Sequence, residues 1–192
     1  MNLNLLLLLL IFFLFGGECT PYAPASSSSS SSSSLIKKAC TVGRGSVDLN
    51  LCVRTLESYR EILPAKSLPD LAKRILTVGL SNSTATRSYI ERAMTKNPPK
   101  PLMHVLKECK AAYDTLMPTY RIAISEITED KDYETATYDL LIMASDYVGQ
   151  CEKAVASNKV GDPVILSGNK AVELFGLSTY QIACDLQKQQ GG

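Results

Sequence analysis

The sequence lacks the features that would indicate catalysis or nucleic-acid binding. Its 192 residues include no tryptophan and one histidine, His104. It has no glycine-rich phosphate loop, no Cys/His spacing typical of a metal site and no Gly-x-Ser-x-Gly motif. Lysine and arginine number 20 against 19 aspartate and glutamate, without a basic tract. We therefore predict no enzyme, no catalytic residue, no cofactor or metal, and no nucleic-acid partner.

The longest apolar run, Leu5–Phe15, is well short of the ~20 residues that a membrane-spanning helix needs. A run of this length followed by small and polar residues is typical of a signal peptide, which we place at residues 1–25. Gly17, Ala23 and Ala25 are candidate cleavage positions. A membrane anchor is the less favoured alternative, and no membrane contact is expected after cleavage.

A serine tract follows at residues 26–34. Because serine has nothing apolar to bury, this tract is predicted to be a flexible spacer. The folded domain is expected at residues 35–188, which is enough chain to bury one core. Secretion would place its cysteines in an oxidising compartment, where disulfides form.

The rest of the chain shows helical periodicity and no convincing strand alternation. Four long helices are predicted, at about 70–95, 102–127, 133–154 and 167–186. Gly79–Thr84 is poor in helix formers and predicts an irregular stretch, Pro118 predicts a kink, and Asp162-Pro163 is assigned to a loop. Short connections predict an all-α, up-down-up-down four-helix bundle.

Four cysteines lie symmetrically about predicted turns. Cys109 and Cys151 lie on the apolar stripes of the second and third long helices, equally far from the polar turn between them. Residues equidistant from such a turn face each other, so a Cys109–Cys151 disulfide is predicted. By the same test, Cys40 and Cys52 flank a Gly-Arg-Gly turn and predict a small N-terminal hairpin closed by a disulfide.

The other two cysteines have no symmetric partner. Cys19 falls inside or just beyond the signal segment, which leaves Cys184 on the last helix. We predict that Cys184 is a buried free thiol, the commoner fate of a lone cysteine. A catalytic thiol would need a base nearby, and nothing in the sequence places His104 there.

Asn82-Ser83-Thr84 matches the sequon for N-glycosylation. A secreted chain meets the enzyme that modifies such sites, so Asn82 is a candidate site and the chain a candidate glycoprotein. Sequons also occur by chance, and this one lies within a predicted helix, so the sequence leaves both alternatives open.

Tyr113, Tyr120, Tyr133 and Tyr147 recur at helical spacing. Such a stripe is typical of a core, with each hydroxyl reaching a partner at the rim. The alternative is a ligand cavity, which would make the protein a secreted helical carrier of an apolar small molecule. Core placement is favoured because the apolar stripes look continuous enough to close.

The order and spacing of these cysteines on this helical pattern resemble the plant invertase/pectin methylesterase inhibitors, over about Leu35 to Leu186. The turn before the third long helix is similar to the invertase-inhibitor subgroup that includes pollen allergens. The residues that carry the resemblance are Cys40, Cys52, Leu106-Lys107-Glu108-Cys109, Tyr113, Leu116, Lys131-Asp132-Tyr133, Cys151-Glu152-Lys153-Ala154, Leu177 and Ile182.

The resemblance implies a helical bundle behind an N-terminal hairpin, with disulfides Cys40–Cys52 and Cys109–Cys151. It further implies an inhibitor without enzymatic activity that binds one to one to a carbohydrate-active enzyme, pectin methylesterase or acid invertase, and blocks its substrate cleft. Contact is expected on exposed side chains of the hairpin at residues 102–156, in the apoplast or, alternatively, the vacuole. The Pro-Lys-Phe segment of many invertase inhibitors is absent.

Overall fold

A computed structural model describes residues 31–41 and 48–191, and the predicted signal peptide lies outside these ranges. No strand occurs within them, and none of their helices is long and apolar enough to cross a bilayer. Two π-helical turns, Glu126–Asp130 and Met143–Tyr147, adjoin the α-helices. The α-helices are α1 (Ser32–Ala39), α2 (Leu49–Glu57), α3 (Leu68–Met94), α4 (Lys100–Ser125), α5 (Tyr133–Ile142), α6 (Val148–Asn158) and α7 (Pro163–Gln190).

The long helices form one bundle, which confirms the predicted all-α fold. Helix α3 packs on α4 and α7, α4 packs on α6, and α5 packs on α7, so the pair α5–α6 acts as one helix of four. Helices α1 and α2 form a hairpin at the N-terminal side, and α1 contacts α7. Large apolar side chains from every long helix are fully buried, including Ile75, Leu106, Tyr120, Leu140 and Phe175. Burying each such side chain contributes about 1.5–3 kcal/mol.

Aspartate and serine side chains mark where the helices begin. Ser67 caps α3, and Asp132 caps α5 by accepting a hydrogen bond from the backbone N–H of Thr135 at 3.1 Å. Asp162 caps α7 by accepting from the N–H of Val164 at 2.9 Å, with Pro163 in the first turn. Our predicted start near residue 167 was therefore wrong, because the Asp-Pro pair begins the helix and is not a loop before it.

Helix α3 is regular through Gly79–Thr84, and the expected irregularity is absent. The absence of a side chain on Gly79 allows the ring of Tyr120 to pack against the helix backbone. The hydroxyl of Thr84 donates to the carbonyl of Leu80 at 2.7 Å, so its polar group is satisfied within the helix. Packing thus outweighs low helix propensity here. Helix α4 continues past Pro118, and the kink expected there stays a prediction.

Helical structure is present before Leu35, the expected start of the folded domain. Helix α1 starts at Ser32, so the last three serines of the tract at residues 26–34 form its first turn, although Leu35 was the expected start. The hydroxyl of Ser33 donates to the Glu57 carboxylate of α2 at 3.2 Å. Leu35 and Ile36 are buried, so the serines are drawn into a helix by the apolar residues that follow them.

Two disulfides join the cysteine pairs that were predicted from their equal distances to a turn. Cys40 and Cys52 close the α1–α2 hairpin with their Cα atoms 5.7 Å apart. Cys109 of α4 and Cys151 of α6 are linked with their Cα atoms 4.3 Å apart. The prediction that Cys184 is a free thiol was wrong: it is disulfide-bonded, and the described residues include no free cysteine. A buried position on a helix face does not by itself distinguish a thiol from a disulfide.

Candidate functional site

The hairpin formed by α4 and α5–α6 is held in one register by a buried cross-link. Cys109 and Cys151 are both fully buried, and they lie far from the turn that joins the two arms. The disulfide fixes one end of the hairpin, and the turn at residues 126–132 fixes the other. Side chains on its outer face are therefore held at fixed separations, which suits a preorganised protein-binding surface.

Two exposed apolar side chains lie on this hairpin. Tyr138 is 65% exposed and Ile122 is 49% exposed, although both residue types are usually at least partly buried. Ile122 follows Cys109 by 13 residues, and Tyr138 precedes Cys151 by 13. Because the disulfide joins these two cysteines, Ile122 and Tyr138 lie at similar distances from it along the two arms of the hairpin. Aromatic and apolar residues in polar surroundings are typical of the centre of a protein interface.

The turn end of the hairpin is strongly acidic. Between residues 126 and 146, seven carboxylates are accompanied by one basic residue, Lys131. Residues 102–156 carry ten carboxylates and five basic side chains, a net charge of −5, whereas the whole chain carries +1. Such a field attracts a positively charged partner surface and speeds its association. The seven carboxylates are Glu126, Glu129, Asp130, Asp132, Glu134, Asp139 and Asp146.

Glu126 differs from the other acids because it is buried. The residue is 8% exposed, and its Oε2 atom has no hydrogen-bond partner. Burial raises the pKa of Glu126 to about 7, and the negative charges of Asp139, Asp132 and Asp130 raise it further. By contrast, hydrogen bonds from Thr135 lower the pKa of Asp132, the cap of α5. The turn thus combines a protonatable buried acid with exposed acids.

The register of α4 accounts for the burial of Glu126, which follows the buried Val105, Ala112 and Thr119 at a spacing of seven residues. The carbonyl oxygen of Glu126 accepts hydrogen bonds from the N–H groups of Lys131 and Asp132, and Lys131 adopts a left-handed conformation with φ 55°. Glu126 and Ile127 are both buried, as are the pairs Thr119-Tyr120 and Ala112-Tyr113 before them on the same helix. The spacing of seven residues from Thr119 places Glu126 inward, whereas its charge gives no sign of burial.

The tyrosine stripe is core, as predicted. Tyr113, Tyr120 and Tyr133 are buried, and Tyr147 packs against the core. The hydroxyl of Tyr113 donates to Asn169 Oδ1 at 3.1 Å. The expectation that each hydroxyl reaches a partner fails at Tyr120, whose buried hydroxyl has none.

The open grooves of the described chain lie at its surface. One, of about 510 Å³, is lined by α1 and α2 residues that include Lys37, Leu49 and Arg54. Another, of about 530 Å³, lies between α3 and the segment after α2, and Asn82 lines it. Neither groove has the position between bundle helices that a carrier of apolar molecules would use.

The residues weighed for catalysis are not brought together. His104 lies at the surface, 4.0 Å from Glu108, whereas Cys184 is buried on α7 and disulfide-bonded. Among the described residues, no group of three or more His, Cys, Asp or Glu is placed to hold a metal ion.

Comparison with known families identifies the class of this chain. A family model described as plant invertase/pectin methylesterase inhibitor matches residues 34–179, well over half of the sequence. The chain belongs to this family. Members of the family are inhibitors of enzymes and not enzymes themselves. Among the curated proteins, no match to this sequence was found.

The fold of the inhibitor family is also seen in a solved structure. The crystal structure of a mutant form of a pectin methylesterase inhibitor from Arabidopsis superposes on this chain with a TM-score of 0.66. The alignment covers 76% of this chain and 95% of the Arabidopsis chain, at 14% sequence identity. At that identity the similarity establishes the fold alone.

Proposed function

We propose that this protein is a secreted inhibitor that binds a pectin methylesterase or an acid invertase one to one and blocks its substrate cleft. Membership of the inhibitor family, over residues 34–179, is the observation that carries the proposal. The apolar run at Leu5–Phe15 supports delivery to the secretory pathway. The apoplast is the proposed location, with the vacuole as the alternative.

The outer face of the α4/α5–α6 hairpin is the proposed contact surface. It presents Tyr138 and Ile122, and the acidic turn lies at one end. The apolar pair would lie at the centre of the interface, and the carboxylates would pair with basic side chains at the rim of the target's cleft. Rim charges act mainly on the association rate, so inhibition should develop more slowly as salt is raised.

Titration of target enzymes tests this function. A plant pectin methylesterase and an acid invertase are each assayed at mildly acidic pH with increasing amounts of the oxidised protein. Inhibition of one enzyme that saturates near a one-to-one ratio supports the proposal and identifies the target. If protein shown to be helical and disulfide-intact inhibits neither enzyme, the inhibitor assignment fails while the fold stands.

A matched pair of surface variants tests the contact face. Tyr138→Ala removes an exposed aromatic side chain from the hairpin, and Leu166→Ala removes an exposed apolar one from α7. Truncation of a central aromatic contact costs about 2 kcal/mol or more, which is roughly 30-fold in the inhibition constant. Tyr138→Ala should weaken inhibition by about that factor, and Leu166→Ala should leave it unchanged. Equal effects of the two variants would contradict the proposed face.

A further inference from the structure

Asn82 lies on the side of α3 that faces the segment after α2. It is half-buried at the edge of the open groove of about 530 Å³, where its neighbours include Tyr59, Lys73 and Ser81. Since α3 packs mainly on α4 and α7, α3 lies diagonally opposite α5–α6 in the bundle. A group attached to Asn82 would therefore have open space beside it and would lie far from Tyr138.

The side-chain amide of Asn82 has a hydrogen to spare. Its Nδ2 atom donates one hydrogen bond to the carbonyl oxygen of Val78 at 3.0 Å. An amide nitrogen of asparagine carries two hydrogens, so one remains free. Replacing the free hydrogen by a sugar leaves the bond to Val78 in place, and the helix loses no interaction.

We propose that Asn82 carries an N-linked glycan whose first sugars lie over this groove. In the transfer, Nδ2 of Asn82 bonds to the anomeric carbon of a lipid pyrophosphate-linked oligosaccharide. The bond from that carbon to the pyrophosphate oxygen breaks, the lipid pyrophosphate leaves, and Nδ2 loses a proton. This inference rests on the secretory route of the proposed function, because that route exposes the chain to the oligosaccharide donor.

The helical structure around Asn82 also indicates when the glycan is added. The transferase recognises the asparagine amide together with the hydroxyl two residues later. In an α-helix, two residues on means a rotation of about 200° around the helix axis, so Asn82 and Thr84 point in nearly opposite directions. The residue between them, Ser83, is buried. The Thr84 hydroxyl is bonded to the carbonyl of Leu80. The folded sequon therefore cannot be read, and the glycan is added before α3 forms.

The mass of the secreted protein tests the glycan. The full chain is expressed in plant cells, and its intact mass is measured before and after treatment with a peptide N-glycosidase. Thr84 is exposed, so Thr84→Ser and Thr84→Val both leave the core unchanged. Wild type and Thr84→Ser should lose the mass of one glycan on treatment, whereas the nearly isosteric Thr84→Val should have none to lose.

Three outcomes would contradict the proposed glycan. A fourth would separate the glycan from the proposed inhibitor function. Unmodified wild type in the medium removes the glycan while leaving secretion intact. Unmodified protein retained in the cell removes the glycan and the secretory route together. A glycan that persists in Thr84→Val contradicts Asn82 as the site. If the glycan is present but neither enzyme is inhibited, this inference stands and the proposed function fails.

The order of events has its own test. Unglycosylated protein is incubated with solubilised endoplasmic-reticulum membranes and the oligosaccharide donor, either oxidised and folded or reduced and unfolded. Only the unfolded chain should gain the glycan, and equal modification of both would contradict addition before α3 forms.

Asn82→Gln should inhibit the target as wild type does, because α3 lies diagonally opposite the proposed contact face in the bundle.

Discussion

Replacing Glu126 by glutamine should make the protein more stable at neutral and alkaline pH and change little at acidic pH. The folded state raises the pKa of this buried carboxyl from 4.5 to about 7. Folding therefore favours the protonated form. The stability is fully present below the pKa of the unfolded chain and decreases as the pH rises through the pKa of the folded one.

The pKa shift sets the size of the effect. The rise from 4.5 to about 7 corresponds to at most about 3.5 kcal/mol, at about 1.4 kcal/mol per pKa unit. Solvent and mobile charges at the exposed turn screen part of it, so we expect about 2 kcal/mol. For a domain of this size, that gain raises the midpoint of thermal unfolding by about 5 °C at pH 8. At pH 4 the wild-type carboxyl is already neutral, and the two proteins should unfold together.

Thermal and urea unfolding at pH 4 and pH 8, followed by circular dichroism, measure this difference. Glu173 and Asp185 also have raised pKa values, and their contributions cancel when variant and wild type are compared. Asp139 interacts with Glu126, so the measured difference includes the repulsion between these two carboxylates. Glu129→Gln is the matched control, since Glu129 is an exposed carboxylate in the same π turn. It should change stability by less than about 0.5 kcal/mol. An equal change for Glu126→Gln at both pH values would refute the reasoning.

Two further predictions concern the stability of the bundle. Replacing Cys109 and Cys151 together by alanine should lower the free energy of unfolding by about 4 kcal/mol, through the freedom that the unfolded chain regains. Urea unfolding measures it, and a loss below about 1 kcal/mol would contradict this account. Gly79→Ala places a Cβ 2.6 Å from the buried Tyr120 ring. The clash should cost about 1–3 kcal/mol of stability, which outweighs the ~1 kcal/mol gained in helix propensity, so the variant should be destabilised. Gly149→Ala meets nothing within 4 Å, so it should stabilise by up to about 1 kcal/mol, and a stabilising Gly79→Ala would show that the ring moves aside.

Features set by periodicity and symmetry were predictable from the sequence. The bundle follows from four amphipathic stripes, because each must bury its apolar side against the others. The Cys109–Cys151 link follows from the equal distance of its members from one turn. Both arguments use positions that face inward, where the core dictates the residue type.

The π turn and the residues on exposed faces were not predictable in this way. Nothing in the residues Glu126–Asp130 distinguishes a π turn from an α turn, because the difference lies in how the chain reverses at Lys131. Glu126, by contrast, continues the seven-residue spacing of Val105, Ala112 and Thr119, but its charge argues against burial. The start of α7 was missed because Asp162 and Pro163 occur both in loops and at helix starts.

The two kinds of acid in the hairpin turn define a pH range in which the protein is both stable and charged. Glu126 is protonated in the folded state below about pH 7, and its stabilising effect is complete below about pH 4.5 and decreases as the pH rises towards 7. Asp132, whose pKa is lowered by Thr135, remains charged at acidities that neutralise an ordinary carboxylate. At a mildly acidic pH Asp132 is therefore charged, while Glu126 has lost only part of its stabilising effect. A mildly acidic compartment lies in that range, so the turn is best suited to bind a basic partner surface there.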